Sequence, residues 1–272
     1  MNIFDTLLIA PILNVLIVFY KIFTFIHLPG ALGFAIILLT VLIRLALWPL
    51  TAAQLKSTQK MAALKPHLDR IKAEHGHDKV RHQEEVSKLY KEHNVNPLAG
   101  CLPLLLQIPV FIGLYQVLLK IVDLKNADFI TNINNMLYSN NLYLDKIPNT
   151  SFFGFRLEDK PSDWSQIGFL ILAIPLLTGL FQFIQSKMLM PQQPATKKPA
   201  KGKEKEGMED AMASMQSQMA YIMPAMIAFF SYGFPVGLSL YWNTFTIIGI
   251  IQQYTISGAG SFSKYLPAKW QK

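Results

Sequence analysis

Apolar residues fall into five long runs separated by polar or charged stretches. Residues 31–50 form the first, interrupted by Thr40 and Arg44. Residues 98–122 form the second, with Pro103 and Pro109 inside it. Residues 167–186 form the third. Residues 219–232 and 236–254 form the fourth and fifth, meeting at a Gly233-Phe234-Pro235 corner. The long runs are near the roughly 20 residues a helix needs to cross about 30 Å of hydrocarbon. The fourth is short, so its helix is expected to begin near Ser214. Pro and Gly inside such runs are tolerated where neighbouring helices satisfy the freed backbone groups.

Residues 3–26 are also apolar, but no Lys/Arg-rich start precedes them and no small-residue cleavage site follows. Asn14, Lys21 and Thr24 are spaced by seven and three, which is one helical face. A narrow polar stripe on a greasy helix suits a segment lying in the membrane interface, and this reading is preferred to a sixth span. The His27-Leu28-Pro29-Gly30 sequence then breaks the chain.

Composition agrees with a polytopic membrane protein. Of 272 residues, 51% are hydrophobic and 15% charged, against about 25% charged in an ordinary soluble domain. The single cysteine, Cys101, excludes an internal disulfide and a cysteine-cluster metal site. The net charge of +8 matters less than its placement. Residues 54–96 carry nine Lys/Arg, residues 187–218 six and the tail after Tyr254 three, whereas residues 123–163 carry four among six acidic groups. The positive-inside rule therefore puts the first three segments in the cytoplasm and the N-terminus outside.

The expected fold is all-α. An outer-surface amphipathic helix (1–29) leads into a first span (30–53), a cytoplasmic helical hairpin (54–96) and a second span (97–122). An outer loop (123–165), third span (166–188) and flexible cytoplasmic linker (189–213) follow. A fourth span (214–233), a fifth span (234–256) and a cytoplasmic tail (257–272) complete the chain. In the hairpin, residues 55–74 and 78–92 read as two helices about His75-Gly76-His77. Leu64, Leu68 and Ile71 on one, with Val86, Leu89 and Tyr90 on the other, form the seam. The outer loop has room for a short interfacial helix. Residues 191–207 are rich in Pro, Lys and Gly and cannot bury enough apolar surface to offset their ordering entropy.

Arg44 is the most informative residue. It lies about 9 Å before Leu50 along a helix, inside the hydrocarbon depth. A charge there costs about 2.5–3.5 kcal/mol on insertion scales. No acidic residue lies in any of the five runs. The charge must face water, neutral polar groups, a visiting carboxylate, or the headgroups by snorkelling. Thr40 lies one turn away. Thr178, Gln182 and Gln185 share a face of the third run, and Asn243, Thr246 and Gln253 a face of the fifth. Gln107 and Gln116 come from the second. One such stripe is helix–helix glue; stripes on several helices with an arginine point to a shared hydrated cavity.

No Walker-type phosphate loop, nucleophile with a base or intramembrane acid is present. His75, His77, His82 and His93 fit no closed zinc pattern. No enzymatic activity, cofactor or metal is expected.

Three motifs carry a family resemblance: TVLIRLALWPLT (40–51), NPLAGCLPLLLQIPVFIGLY (96–115) and FPVGLSLYWNTFTIIGIIQQ (234–253). Over about residues 10–260 the chain resembles the YidC/Oxa-type membrane protein insertases. The resemblance implies a five-transmembrane-helix core with a positively charged, hydrated intramembrane groove, open to cytoplasm and lipid and closed outside. Arg44 would be its centre, lined by Thr40, Tyr241 and Trp242. Gln107, Gln182, Gln185 and Asn243 are added from periodicity. The implied function is insertase and chaperone for nascent hydrophobic segments, in a short form without a large outer domain. The expected partners are nascent membrane proteins, the lipid bilayer, the Sec translocon, the ribosome and signal-recognition components, with no direct nucleic-acid reading. The expected address is the bacterial plasma membrane. A polar-cavity channel or small-solute transporter is the alternative, and an assembly factor without insertion activity a third.

Overall fold

The computed structural model describes residues 5–93, 95, 102–122, 129–190, 208–265 and 267. Side chains of 102–107, 122, 129, 208–217 and 219 are outside that description.

The chain is mostly helical. A π turn, Asp5–Ile9, runs into α1 (Ala10–Phe25). Then come α2 (Ala31–Ala46), α3 (Trp48–Ala63), α4 (Lys65–His75), α5 (Lys79–Glu92), α6 (Leu102–Val122) and α7 (Phe129–Asn134). Strands β1 (Ser151–Phe152) and β2 (Phe155–Arg156) pair antiparallel. After α8 (Trp164–Ile167), a 3-10 turn (Phe169–Leu172) leads into α9 (Ala173–Leu189). The last long helices are α10 (Met208–Gly233) and α11 (Val236–Ser257). Among the described residues, Asp5–Phe25 and Phe169–Leu189 are by themselves long and apolar enough to cross a membrane. The pair α2 and α3 makes a third if counted as one span. Ile108–Ile121 and Ala220–Gly233 are shorter apolar helices.

Two breaks follow from proline. Helix α2 stops at Ala46 because Pro49 has no N–H for the carbonyl of Leu45 and its ring crowds the preceding turn. The helix expected over residues 55–74 is likewise split at Leu64, with Pro66 in the first turn of α4. The hairpin strands also depart from the all-α expectation.

The chain divides into two compact units. The first comprises Met1–Leu47, Leu104–Phe181 and Ala225–Ile248. Its core takes Leu13, Leu16, Ile17 and Tyr20 from α1, and Leu32, Ala35, Ile36 and Leu39 from α2. From α6 come Leu114, Val117, Leu118 and Ile121. All three sets recur at the three- and four-residue spacing of one helix face. At Gly113 an added Cβ would lie 2.9 Å from Leu8 Cγ, so the missing side chain permits close approach of α6.

The loop 129–163 is tied to three helices of this unit. Asn14, buried on α1, donates through Nδ2 to the carbonyls of Ala10 (2.8 Å) and Met136 (3.0 Å). Its Oδ1 accepts from the Tyr138 N–H (2.8 Å). Lys21 Nζ donates to the carbonyls of Asn141 (2.6 Å) and Tyr143 (2.7 Å). Phe152 packs where Gly33 lacks a side chain: a Cβ there would lie 2.1 Å from its ring. The N–H groups of Val236 and Gly237, orphans at the start of α11, donate to the carbonyls of Asp159 (2.8 Å) and Leu157 (2.9 Å). The Asn14–Lys21–Thr24 stripe, expected to face headgroups, is thus largely consumed within the chain. Thr24 bonds its own helix at the Tyr20 carbonyl.

The second unit comprises Trp48–Pro103, Gln182–Pro224 and Gly249–Lys272. Asp78 caps α5, accepting from the N–H groups of Val80 and Arg81. Helices α4 and α5 meet over Leu64, Leu89 and Val95, flanked by Met61, Leu68, Ile71 and Tyr90. Lys187 is buried and donates to the Tyr221 hydroxyl, with Nζ 3.9 Å from that ring's centroid. A cavity of about 340 Å³ lies among Leu55, Gln59, Met188, Met190, Gln253 and Ser257.

Candidate substrate groove

Arg44 occupies the last turn of α2, where a cation suits the negative end of the helix dipole. It is 6% exposed. Its Nε donates to the Phe245 carbonyl at 3.0 Å, and its guanidinium carbon lies 3.5 Å from the centroid of the Phe245 ring. These two partners are neutral. A carbonyl, an aromatic face and a helix end together offset part of the cost of burying the charge. The sequence reading has Arg44 facing a wetted pocket; in this structure the guanidinium is covered and folds across to α11.

Thr40 is fully buried one turn earlier and donates to the Ile36 carbonyl of its own helix (2.7 Å). Tyr241 is 1% exposed and contacts Phe245 (5.9 Å between centroids) and Phe111 (6.3 Å). Trp242 is half-buried and meets Phe111 edge-on at 5.3 Å. Thr40, Arg44, Tyr241, Trp242 and Phe245 therefore belong to neighbouring faces of α2 and α11 in the first unit. Asn243 lies about 200° round α11 from Tyr241, given about 100° per residue. It points to the other side from the Tyr241–Phe245 pair, and its buried Oδ1 has no hydrogen-bond partner among the described residues. Gln182 and Gln185 are half-buried on the part of α9 that belongs to the second unit. Gln107 is in α6, but its side chain lies outside the described residues.

The polar face of the third run behaves as glue where it is described in the first unit. Thr178 accepts from Ser231 (3.4 Å), which also bonds Ser239 (3.1 Å), and all three are 1% exposed. Sequence reasoning missed Phe245 and Phe111 as the aromatic neighbours of Tyr241. The available signal was the i, i+4 pairing of Tyr241 with Phe245 on one face of an apolar helix.

The family described as 60Kd inner membrane protein matches residues 10–261. The chain belongs to this family. Relatives named membrane protein insertase YidC include those of Rickettsia conorii and Pseudoalteromonas atlantica, each 36% identical. The first covers 88% of this chain and 38% of the relative, the second 84% and 34%. The YidC of Nitratidesulfovibrio vulgaris is 32% identical over 90% of this chain and 38% of its own. This 60Kd family member thus spans little more than a third of the length of those relatives. A solved structure described as an active YidC insertase, with its first transmembrane domain resolved, shares the fold. Its TM-score is 0.55 at 24% identity, covering 93% of this chain and 47% of that one.

Proposed function

We propose that this chain is a membrane protein insertase and chaperone of the bacterial inner membrane. It accepts nascent hydrophobic segments and passes their short polar tails through a groove centred on Arg44. Family membership supports the activity. The observation that carries the mechanism is the neutrality of the Phe245 ring and carbonyl on which Arg44 rests. A client carboxylate is a stronger guanidinium partner than either, because it accepts paired, charge-assisted hydrogen bonds. It can therefore draw Arg44 off Phe245. Thr40, Tyr241 and Trp242 line the path, with Gln107 as a further polar position.

In this reading the chain has five spans, residues 54–96 and the C-terminus are cytoplasmic, and residues 1–29 and 123–165 lie on the outer side. The driving force is burial of the client's apolar surface, roughly 25 cal/mol per Å². The membrane potential acts on acidic tails as a further pull. Nascent chains and lipid are the partners, with the Sec translocon, ribosome and signal-recognition components supplying clients.

The test is reconstitution of the purified chain in liposomes with a labelled single-span peptide bearing an acidic tail. The tail is expected to become protease-protected without solute flux. Arg44→Ala is expected to impair acidic-tailed clients and spare neutral ones. Flux without protection, or uniform loss alongside loss of folded protein, overturns the reading.

A further inference from the structure

The β1–β2 hairpin carries an exposed phenylalanine at its tip in a conformation that phenylalanine disfavours. Phe153 has φ 46° and Gly154 φ 88°. A two-residue type I′ hairpin turn needs both positive, and asparagine is a common first residue there. Phe153 is nonetheless 81% exposed, so its ring gains little from the fold itself. Its described ring contacts are edge-on to Phe152 (4.7 Å) and Phe34 (6.2 Å).

Those contacts fix its level. Phe34 is the fourth residue of α2, about 4.5 Å along the helix from its start at 1.5 Å per residue. Phe152 seats against Gly30 and Gly33, in and beside the α1–α2 corner. Phe25 (83% exposed) and Ile26 (59%) stand bare at that same corner. Just behind the tip, Arg156 is exposed on β2. An apolar tip backed by the Arg156–Glu158 ion pair, at the first turn of an apolar helix, matches the layering of a bilayer interface, apolar inward and charged outward.

We propose that the hairpin is a lipid anchor: Phe153, with Phe25 and Ile26, inserts into the acyl boundary of the leaflet at the start of α2. Anchoring there holds Phe152 in the Gly30–Gly33 notch and so pins the loop against the helices. The proposal rests on the functional reading only in taking α2 as membrane-spanning. It stands or falls without an insertion assay.

The experiment uses the full chain with Cys101→Ser in phosphatidylethanolamine–phosphatidylglycerol vesicles. Phe153→Cys is labelled with an environment-sensitive fluorophore, and Lys146→Cys, also exposed in this loop, serves as control. Spin-labelled acyl chains should quench the tip label roughly twofold or more, as expected for groups about 5–10 Å into the interface, with iodide excluded. The Lys146 label should behave oppositely. Because that variant removes the ring, a second pair labels Ser151→Cys with Phe153 retained or changed to Asn. Phe153→Asn should keep the detergent melting temperature and reduce lipid quenching at residue 151. Iodide quenching at the tip without lipid quenching overturns the proposal. So does tip shielding that vanishes on dilution of protein in lipid, which would mean a second copy covers it. Equal quenching at residue 151 in both backgrounds also overturns it.

Discussion

Phe245 holds Arg44 twice, through its ring at 3.5 Å from the guanidinium carbon and through its carbonyl at 3.0 Å from Nε. The carbonyl is backbone and survives any substitution of Phe245, so the two contacts can be separated. Phe245→Leu should remove about 0.5–2 kcal/mol of cation–π attraction and lower thermal stability in detergent. Preference for acidic over neutral client tails should persist, because the charge and its backbone acceptor remain. The ratio of protected acidic to neutral peptide in liposomes checks this. Loss of the preference with folded protein retained would make the ring the selective element.

Gly33 gives Phe152 its seat. Gly33→Ala places a methyl 2.1 Å from the present ring position, so Phe152 must move. Overpacking of this kind costs about 1–3 kcal/mol. The expected result is a lower melting temperature and faster protease cleavage in residues 145–160. Adding Phe152→Leu should recover part of the loss, a coupling that a double-mutant cycle measures.

Asn14 supplies bonds that no apolar residue can. Asn14→Leu leaves the Met136 carbonyl and the Tyr138 N–H without their described partner, at about 1–3 kcal/mol for each such group when buried. Hydrogen exchange at Tyr138 should accelerate strongly. Exchange within α4 and α5, in the other unit, should not change.

Ser231 joins α9 to α11 through Thr178 and Ser239. Ser231→Ala should cost about 0.6 kcal/mol, the average for such interhelical bonds in membranes. Insertion per folded molecule should be unchanged, as fits a packing role. A selective loss of insertion of acidic-tailed clients at full stability would instead put this cluster in the client path.

Several features were legible from local pattern. One side of the seam of α4 and α5 follows from Leu64, Leu68 and Ile71, which recur at helical spacing, and the other from Leu89 and Tyr90. The splits at Leu47 and Leu64 were equally local, yet only the structure brought them out: Pro49 and Pro66 outweigh the apolar and amphipathic periodicities that run through them. The Asn14–Lys21–Thr24 stripe was visible, but its meaning was not. A polar face on an apolar helix looks the same whether headgroups or backbone carbonyls satisfy it. Thr178 was ambiguous in the same way, and its hydroxyl accepts from Ser231 of α10.

The sequence alone determined the membrane character, the charge asymmetry and the family, because desolvation cost and helical period act over a few residues at a time. Tertiary structure decided which groups Asn14, Thr178 and Arg44 bond. Asn14 found its partners across more than 120 residues of chain and Arg44 across 201. Those pairings depend on which helices come together, and no local pattern encodes that.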